Sequence, residues 1–160
     1  MATETIKFKI ELYSTYWDLK PSCEVLINNN VKFSGEIDGT EQKPILIEFE
    51  HECTEGEKYE LILNRQGKNN KQTILNSKGD ITHDQLLHIK TIEIDEIDIG
   101  GLVYEGVYKP KYPEPWFSDQ KRQGHEHPET FKNVTQMGHN GTWTLAFESP
   151  FYMWLLENLY

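Results

Sequence analysis

Hydrophobic and polar positions alternate along the first part of the chain, and this alternation predicts β-strands. In an extended chain, successive side chains point to opposite faces of a sheet. The segment TIKFKIEL follows that rule, since every second residue is apolar and the residues between them are charged. Its predicted inward residues are Ile6, Phe8, Ile10 and Leu12.

Turn signals between further alternating segments predict two hairpins. SCEVLI and VKFSGEI flank an asparagine run, and asparagine accepts the positive φ angles of tight turns. PILIEFEHE and EKYELILN flank CTEG, so they are predicted to pair with each other in the same way. Their predicted inward residues are Ile45, Ile47, Phe49, Tyr59, Leu61 and Leu63.

The spacing of these strands predicts an all-β fold. HIKTIEIDEIDIGGLVYEGVY adds one or two long strands, with a bend or bulge at Gly100-Gly101. Strands that recur every 8 to 15 residues or so, with turns between them, are typical of an antiparallel β-sandwich of jelly-roll type. Because the sequence shows no internal repeat and no linker, residues 1–160 are predicted to form one domain.

Two segments depart from the strand pattern. Residues 109–141 are predicted to form a long loop rich in proline and histidine. Residues 149–160 are predicted to form a short amphipathic helix, with Ser149 as its cap and Pro150 at its first position. Phe151, Trp154 and Leu155, with Asn158 or Leu159, fall at helical spacing. This apolar stripe either docks on the protein's own sandwich or meets a neighbouring subunit.

Composition narrows the range of partners. The formal net charge of −10 disfavours nucleic acid, because such a surface repels phosphate backbones. We expect neither a signal peptide nor a transmembrane segment, since the N-terminus alternates charged with apolar residues and no stretch is apolar enough for a span. The two cysteines, Cys23 and Cys53, lack CxxC spacing and are predicted to be buried thiols, with one disulfide as the alternative.

Part of the sequence resembles a known group of proteins. KYPEPW and MGHNGTWTLAFESPFYMWLLENL resemble uncharacterised proteins of marine tailed bacteriophages, especially those that infect cyanobacteria, and the likeness is strongest from about residue 92 onward. Those relatives look similar to calcium-dependent carbohydrate-binding modules of the xylan-binding kind, joined to an aromatic C-terminal segment. The resemblance implies a β-sandwich, located in the virion or in the host cytoplasm during assembly, with virion proteins or polysaccharide as partners.

Two groups of residues are candidate metal ligands. In IEIDEIDIG, a bend near Glu96 would gather Asp95 and Asp98 around calcium, which prefers carboxylate oxygens. The alternative is a solvated strand face. In GHEHPE, His125 and His127 are a candidate transition-metal pair, with Glu129 and His139 as further ligands, and surface histidines without a metal are the alternative.

The aromatic residues are candidates for contact with a ligand or a partner. Prolines stiffen KPKYPEPWF before anything binds it, so its rings lose little entropy on binding. Aromatic planes of this kind stack on sugars or anchor protein interfaces. The candidate ligand- or partner-binding residues are Tyr112, Trp116, Phe117, His139, Asn140, Trp143 and Trp154.

The sequence carries no nucleophile motif, P-loop or dinucleotide fingerprint, and no cofactor other than calcium is predicted. The leading hypothesis is therefore a non-enzymatic virion structural or accessory protein of a tailed phage, whose aromatic C-terminal region docks on other subunits. The alternative is a carbohydrate-binding module that mediates adhesion to polysaccharide, with calcium as a candidate ion. A weaker third hypothesis is a metal-dependent enzyme that uses His125 and His127.

Overall fold

The computed structural model describes residues 2–69 and 71–159, which form an antiparallel β-sandwich followed by a short helix. This confirms the predicted fold class. The helices are a 3-10 helix (Gly100–Glu105), α1 (Trp116–Arg122) and α2 (Phe151–Leu159). The strands are β1 (Thr3–Thr15), β2 (Ser22–Ile27), β3 (Asn30–Glu36), β4 (Ile45–Thr54), β5 (Lys58–Gln66), β6 (Ile74–Leu75), β7 (Ile81–His83), β8 (Leu86–Ile94), β9 (Ile97–Asp98), β10 (Val107–Pro110), β11 (Gln136–Met137) and β12 (Gly141–Glu148).

Two sheets enclose the core. The first has the order β11-β8-β1-β4, with β9 paired to β8, and the second has the order β10-β12-β5-β2-β3. β6 and β7 form a separate two-stranded ribbon. The inward faces of the two sheets meet at Phe8 of β1 and Phe147 of β12, whose ring centroids lie 5.9 Å apart. The four predicted inward residues of β1 are all buried, which confirms the alternation read from that segment.

One predicted hairpin is confirmed and the other is wrong. β2 and β3 pair around a turn in which Asn28 has a φ of 52°. β4 and β5, in contrast, belong to different sheets: β4 pairs with β1, and β5 pairs with β12 and β2. The segment CTEG therefore carries the chain from one sheet across to the other. Both strands still point their apolar faces at the core, because alternation specifies a buried face and does not specify a partner strand.

A β-bulge interrupts the alternation of buried and exposed residues in β8, just before its acidic stretch. The pairing of β1 with β8 shifts register between Glu11 and Leu12, which leaves an extra residue on β8. Ile89 and Ile92 are consequently both buried, although strict alternation would place them on opposite faces. Downstream, the predicted bend at Gly100-Gly101 is the start of the 3-10 helix.

The directions of the strands place the long connections together. Segments 16–21, 37–44, 67–85 and 111–140 all leave the same end of the sandwich, which we call the loop end. The short turns at 28–29, 55–57 and 95–96 lie at the opposite end, together with α2. We call this the helix end. Tyr112, Trp116 and Phe117 therefore lie at the opposite end of the sandwich from Phe151 and Trp154.

The segment 109–141 is more ordered than the predicted loop. It contains α1 and β11, and Phe131 forms a β-bridge with Tyr108. The helix begins after Pro115, whose carbonyl accepts the Asp119 N–H at 3.0 Å. It ends at Arg122, and Gly124, two residues further on, has a φ of +84° that suits glycine beyond a helix C-terminus.

The C-terminal helix forms as predicted but is capped differently. Phe151 and Leu155 are buried on the sandwich and Trp154 is partly buried, so the predicted apolar stripe docks on the protein's own core. Ser149 does not cap the helix, since its buried hydroxyl has no hydrogen-bond partner among the described atoms. Instead, the Phe151 N–H donates to Glu4 Oε1 at 2.8 Å. Tyr160, the last residue of the predicted helix, lies outside the described residues.

The two cysteines are buried thiols, as predicted. Cys23 on β2 and Cys53 on β4 are buried free thiols in different sheets, near opposite ends of the sandwich. Burial raises the pKa of Cys23 to about 12 and that of Cys53 to about 11. Within residues 2–69 and 71–159, no helix combines the length and the apolar character that crossing a bilayer demands.

Candidate functional site

Five aromatic rings gather at the loop end, and we call them the ring cluster. Tyr112 lies at the centre, within 4.9–6.0 Å of the other four ring centroids. Trp116 also contacts the two histidine rings, at 4.7 and 5.7 Å. Trp116 remains 37% exposed, so an indole supported from below meets solvent. The ring cluster consists of Tyr112, Trp116, Phe117, His127 and His139.

Local structure holds these rings in place. Trp116 and Phe117 occupy the first turn of α1, directly after the prolines at 113 and 115 that restrict the preceding chain. The Tyr112 hydroxyl donates to the Pro128 carbonyl at 2.6 Å. This bond connects the parts of segment 109–141 that precede and follow α1. Lys121 places its ammonium 4.4 Å from the centre of the Phe117 ring. The rings are therefore positioned before any ligand arrives.

Tyr108 positions His139 from below. Its hydroxyl donates to the His139 carbonyl and accepts the His139 N–H at 3.0 Å, so both backbone polar groups of His139 have a hydrogen-bond partner. Burial raises the pKa of Tyr108 to about 12. Burial, together with the nearby charges of Lys68 and Arg65, lowers the pKa of His139 to about 4. His139 is consequently a neutral imidazole at neutral pH.

A buried arginine supports the site beneath the rings. Arg65 has no exposed surface and forms no ion pair among the described residues. Its Nη1 donates to Asn140 Oδ1 at 2.8 Å and its Nη2 donates to the Gln85 carbonyl at 2.7 Å. Burial lowers the pKa of Arg65 to about 10. Asn140 also accepts from the Lys68 N–H at 3.0 Å and donates to the Lys68 carbonyl at 2.9 Å.

A half-buried ion pair joins the neighbouring loops. Lys68 Nζ lies 2.9 Å from Asp84 Oδ1 and donates to the Gly138 carbonyl at 2.6 Å. Burial raises the pKa of Asp84, but hydrogen bonds from Thr73, Lys68 and the Gln85 amide outweigh this effect and leave it lowered. These contacts hold segments 67–85 and 138–140 together, so the ring cluster rests on a rigid polar base.

The structure separates the predicted ligand-binding residues into three groups. Tyr112, Trp116, Phe117 and His139 come together in the ring cluster. Asn140 lies beside them, but its amide is occupied by the contacts to Arg65 and Lys68. Trp143 and Trp154 lie elsewhere, in the core and at the helix end respectively.

Trp143 is fully buried in the core, so the proposal that it contacts a ligand is wrong. It occupies an inward position of β12, and Gly106 packs so closely on its indole that no side chain fits between them. Trp154 packs on Phe147 and Phe151 at the helix end, far along the strands from the ring cluster. The aromatic C-terminal third is therefore not one continuous surface.

The predicted histidine pair is also divided. His125 is exposed and its ring takes no part in the ring cluster, whereas His127 contacts Tyr112 and Trp116. The His127 ring nitrogen Nε2 lies 3.3 Å from Gln120 Oε1. Across residues 2–69 and 71–159, no three His, Cys, Asp or Glu side chains are grouped so that they could hold a metal ion.

The two carboxylates proposed for calcium serve the backbone instead. Asp95 lies in the turn between β8 and β9, with a φ of 51°, and its Oδ1 accepts the Lys7 N–H at 2.8 Å. Asp98 Oδ1 accepts the Gly100 N–H at 2.8 Å. Calcium takes six to eight oxygen ligands, and among residues 2–69 and 71–159 no third His, Cys, Asp or Glu side chain joins these two carboxylates in a group that could hold an ion. Glu93, on the same strand, lies opposite Lys9 in the sheet, as expected of a solvated strand face.

Comparisons with known proteins show the fold alone. No protein-family model matches the sequence, and no curated protein sequence matches it. The structure is similar to that of a selenomethionine form of vCBM60, described with two families of calcium-dependent carbohydrate-binding modules that circular permutation links. The TM-score is 0.50 at 5% identity, over 87% of this chain and 88% of that chain.

Sequence reasoning missed the polar base of the site. Arg65 follows Tyr59, Leu61 and Leu63 at every second position of β5, so strict alternation already places its side chain inward. A charged residue at an inward position needs partners, and its presence is a signal of a buried polar network. The identity of those partners, Asn140 and the Gln85 carbonyl, is visible only in the folded chain.

Proposed function

We propose that this protein is a non-catalytic carbohydrate-binding module that binds polysaccharide at the ring cluster. The observation that carries the proposal is the exposed indole of Trp116, which is supported by Tyr112 and two histidine rings at the loop end of a β-sandwich. Sugar rings present apolar C–H faces, and an immobilised aromatic plane buries such a face without losing side-chain entropy. The similarity in fold to a carbohydrate-binding module supports the same function.

A second exposed tryptophan favours a chain-like ligand. Trp17 is 44% exposed at the loop end, and its indole N–H donates to the Gln72 carbonyl at 2.8 Å. The His83 ring packs edge-on against it at 5.0 Å. A polymer with repeated units can use two fixed indoles at once, which raises its avidity without new kinds of contact.

Binding to a panel of polysaccharides, measured by affinity gel electrophoresis and calorimetry, tests this function. We expect Trp116→Ala to weaken binding at least tenfold, since truncation of a central aromatic anchor costs about 2 kcal/mol or more. Tyr152→Ala is the matched control, because Tyr152 is an exposed aromatic residue at the helix end. Retention of no polysaccharide, or equal binding by both variants, would overturn the proposal.

Calcium is not required by this proposal. Because Asp95 and Asp98 are held by backbone amides at a distance from the ring cluster, we expect polysaccharide binding to be unchanged by a chelator. Loss of binding on chelation, with recovery on added calcium, would show that an ion site forms from other residues.

Subunit docking is the second candidate function, and a phage particle is the setting that the sequence resemblance implies for it. The observation that favours docking is the outer face of α2, where three large apolar side chains are more than half exposed. Light scattering after size-exclusion chromatography tests for self-association, and mass spectrometry of purified particles tests for a virion component. The exposed residues are Tyr152, Met153 and Leu156.

A further inference from the structure

A groove with a basic side lies next to the ring cluster on the outer face of the second sheet. Its volume is about 460 Å³, and no acidic residue lines it, although the chain has 26 acidic residues against 16 basic ones. We call it the basic groove. Among the residues that line it are Asn64, Gln66, Lys109, Lys111, Asn140 and Thr142.

The pairing of the strands shows how the groove is built. Lys109 of β10 lies opposite Thr142 of β12, which lies opposite Asn64 of β5. The Lys109 ammonium, the Thr142 hydroxyl and the Asn64 amide therefore lie side by side on the outer face, on strands that are about 4.8 Å apart. Glu24 of β2 is the next residue in this row. It is three strand spacings, or roughly 14 Å, from Lys109, so the positive charge of the groove is confined to its β10 side.

The two lysines are available for a ligand. Lys109 and Lys111 are exposed, and within the described part of the chain neither forms an ion pair, whereas Lys68 nearby is committed to Asp84. Two unpaired ammonium groups at alternate positions attract carboxylate or sulfate oxygens. The side-chain amides of Asn64 and Gln66 and the hydroxyl of Thr142 suit sugar hydroxyls, whereas the Asn140 amide is already occupied by Arg65 and Lys68.

The basic groove and the ring cluster are continuous. Two groove residues are chain neighbours of cluster rings, since Lys111 precedes Tyr112 and Asn140 follows His139. The Lys111 N–H donates to the Asn140 carbonyl at 2.6 Å, which closes the junction. A polysaccharide stacked on Trp116 and Tyr112 therefore extends naturally toward the two lysines.

We propose that the site selects acidic polysaccharides, with a carboxylate or sulfate group of the glycan bound between Lys109 and Lys111. This inference rests on the proposed function of the ring cluster and adds a charge requirement to it. An acidic protein with net charge −10 repels polyanions over most of its surface, so selection of one requires such a local reversal of charge.

Paired glycans that differ only in charge test the inference. The carboxylate pair is polygalacturonate and its methyl ester, and the sulfate pair is dextran sulfate and dextran. We expect at least one acidic form to bind at least tenfold more tightly than its neutral partner, and the stronger acidic form identifies the preferred group. Raising the salt concentration should weaken the acidic form selectively, since exposed charges are screened.

Lysine variants locate the effect. Lys109→Gln/Lys111→Gln should lose at least fivefold in affinity for the acidic form and less than twofold for the neutral form. Lys58→Gln/Lys78→Gln changes the net charge equally with exposed lysines outside the groove, and it should bind as the unchanged protein does. Thermal melting of all variants checks that they are folded.

The outcomes separate the two proposals. If the neutral and acidic forms of both pairs bind equally, and Trp116→Ala abolishes that binding, the charge requirement is wrong and the carbohydrate-binding function stands. If the control pair of lysines loses as much affinity as the groove pair, the selection is not located in the groove. If no glycan binds, the proposed function fails and the inference fails with it.

Discussion

Arg65 donates to Asn140 Oδ1 at 2.8 Å, so a guanidinium with no exposed surface depends on a side chain 75 residues further along the chain. This contact joins the C-terminal end of β5 to the residue before β12, beneath the ring cluster. A buried charge without an acidic partner is stabilised only by hydrogen bonds of this kind. The pair is therefore central to both the fold and the site.

Asn140→Ala should lower the free energy of unfolding by about 2–3 kcal/mol, because it leaves a buried charged donor without its acceptor. Urea unfolding followed by tryptophan fluorescence measures the change. Gln136→Ala, at an exposed position of β11, is the control and should change stability by less than about 0.5 kcal/mol. Equal losses in the two variants would contradict the role given to the buried pair.

Gly106→Ala should destabilise the fold strongly. A Cβ at this position would lie 2.1 Å from Cε2 of the buried Trp143, so the indole or the backbone must move. We expect a loss of about 3 kcal/mol, at the upper end of the cost of overpacking a core. Gly101→Ala, in the 3-10 helix that ends just before Gly106, is the matched control, since nothing lies within 4 Å of a Cβ built there. Thermal and urea unfolding should show a clear difference, and similar stabilities would refute the packing argument.

Glu4→Ala should weaken the attachment of the C-terminal helix. Glu4 accepts the Phe151 N–H at the start of α2, and loss of a helix cap costs about 1 kcal/mol. Glu52→Ala removes an exposed carboxylate from the adjacent strand without touching the helix. Hydrogen exchange of the α2 amides should accelerate in the first variant alone. Unchanged exchange there would mean that packing alone holds the helix.

His139 should make the protein less stable in mild acid. Its pKa is about 4 in the folded protein, against about 6.5 in an unfolded chain. Between those values the unfolded chain binds a proton that the folded protein does not. The contribution to stability is therefore complete above about pH 6.5 and is lost as the pH falls toward 4.

His139→Asn should flatten the decline in melting temperature between pH 6.5 and 4. His125→Asn is the control, because His125 is exposed and outside the ring cluster, and it should keep the slope of the unchanged protein. His51 and His88, whose pKa values burial also lowers, contribute equally to all three proteins. An identical slope in both variants would contradict the assignment.

Much of the fold follows from local patterns. The inward residues of β1, β5 and β12 were predictable because the side-chain period of a strand is two and needs no knowledge of its neighbours. The turn at Asn28 and the apolar stripe of α2 were predictable for the same local reason. The pairing of β4 was not, because the same alternation suits a hairpin with β5 and a place beside β1.

The candidate site divides in the same way. Stiffness of the proline segment and the presence of Tyr112, Trp116 and Phe117 within it can be read from a few adjacent residues. His127 and His139 both contact Tyr112, while His125 faces solvent. This arrangement depends on the path of the whole segment 109–141. The burial of Trp143 was readable from alternation, and its assignment to a ligand surface ignored that evidence.

Sequence alone thus establishes which segments are extended, which face of each is buried, and where rigid rings and charges occur, because these depend on spacing over a few residues. Folding decides which strands become neighbours, that the ring cluster and α2 lie at opposite ends, and that Lys109 and Lys111 border the rings. Those relations join residues far apart in the chain, and the burial of one shared core selects them from many locally equivalent arrangements.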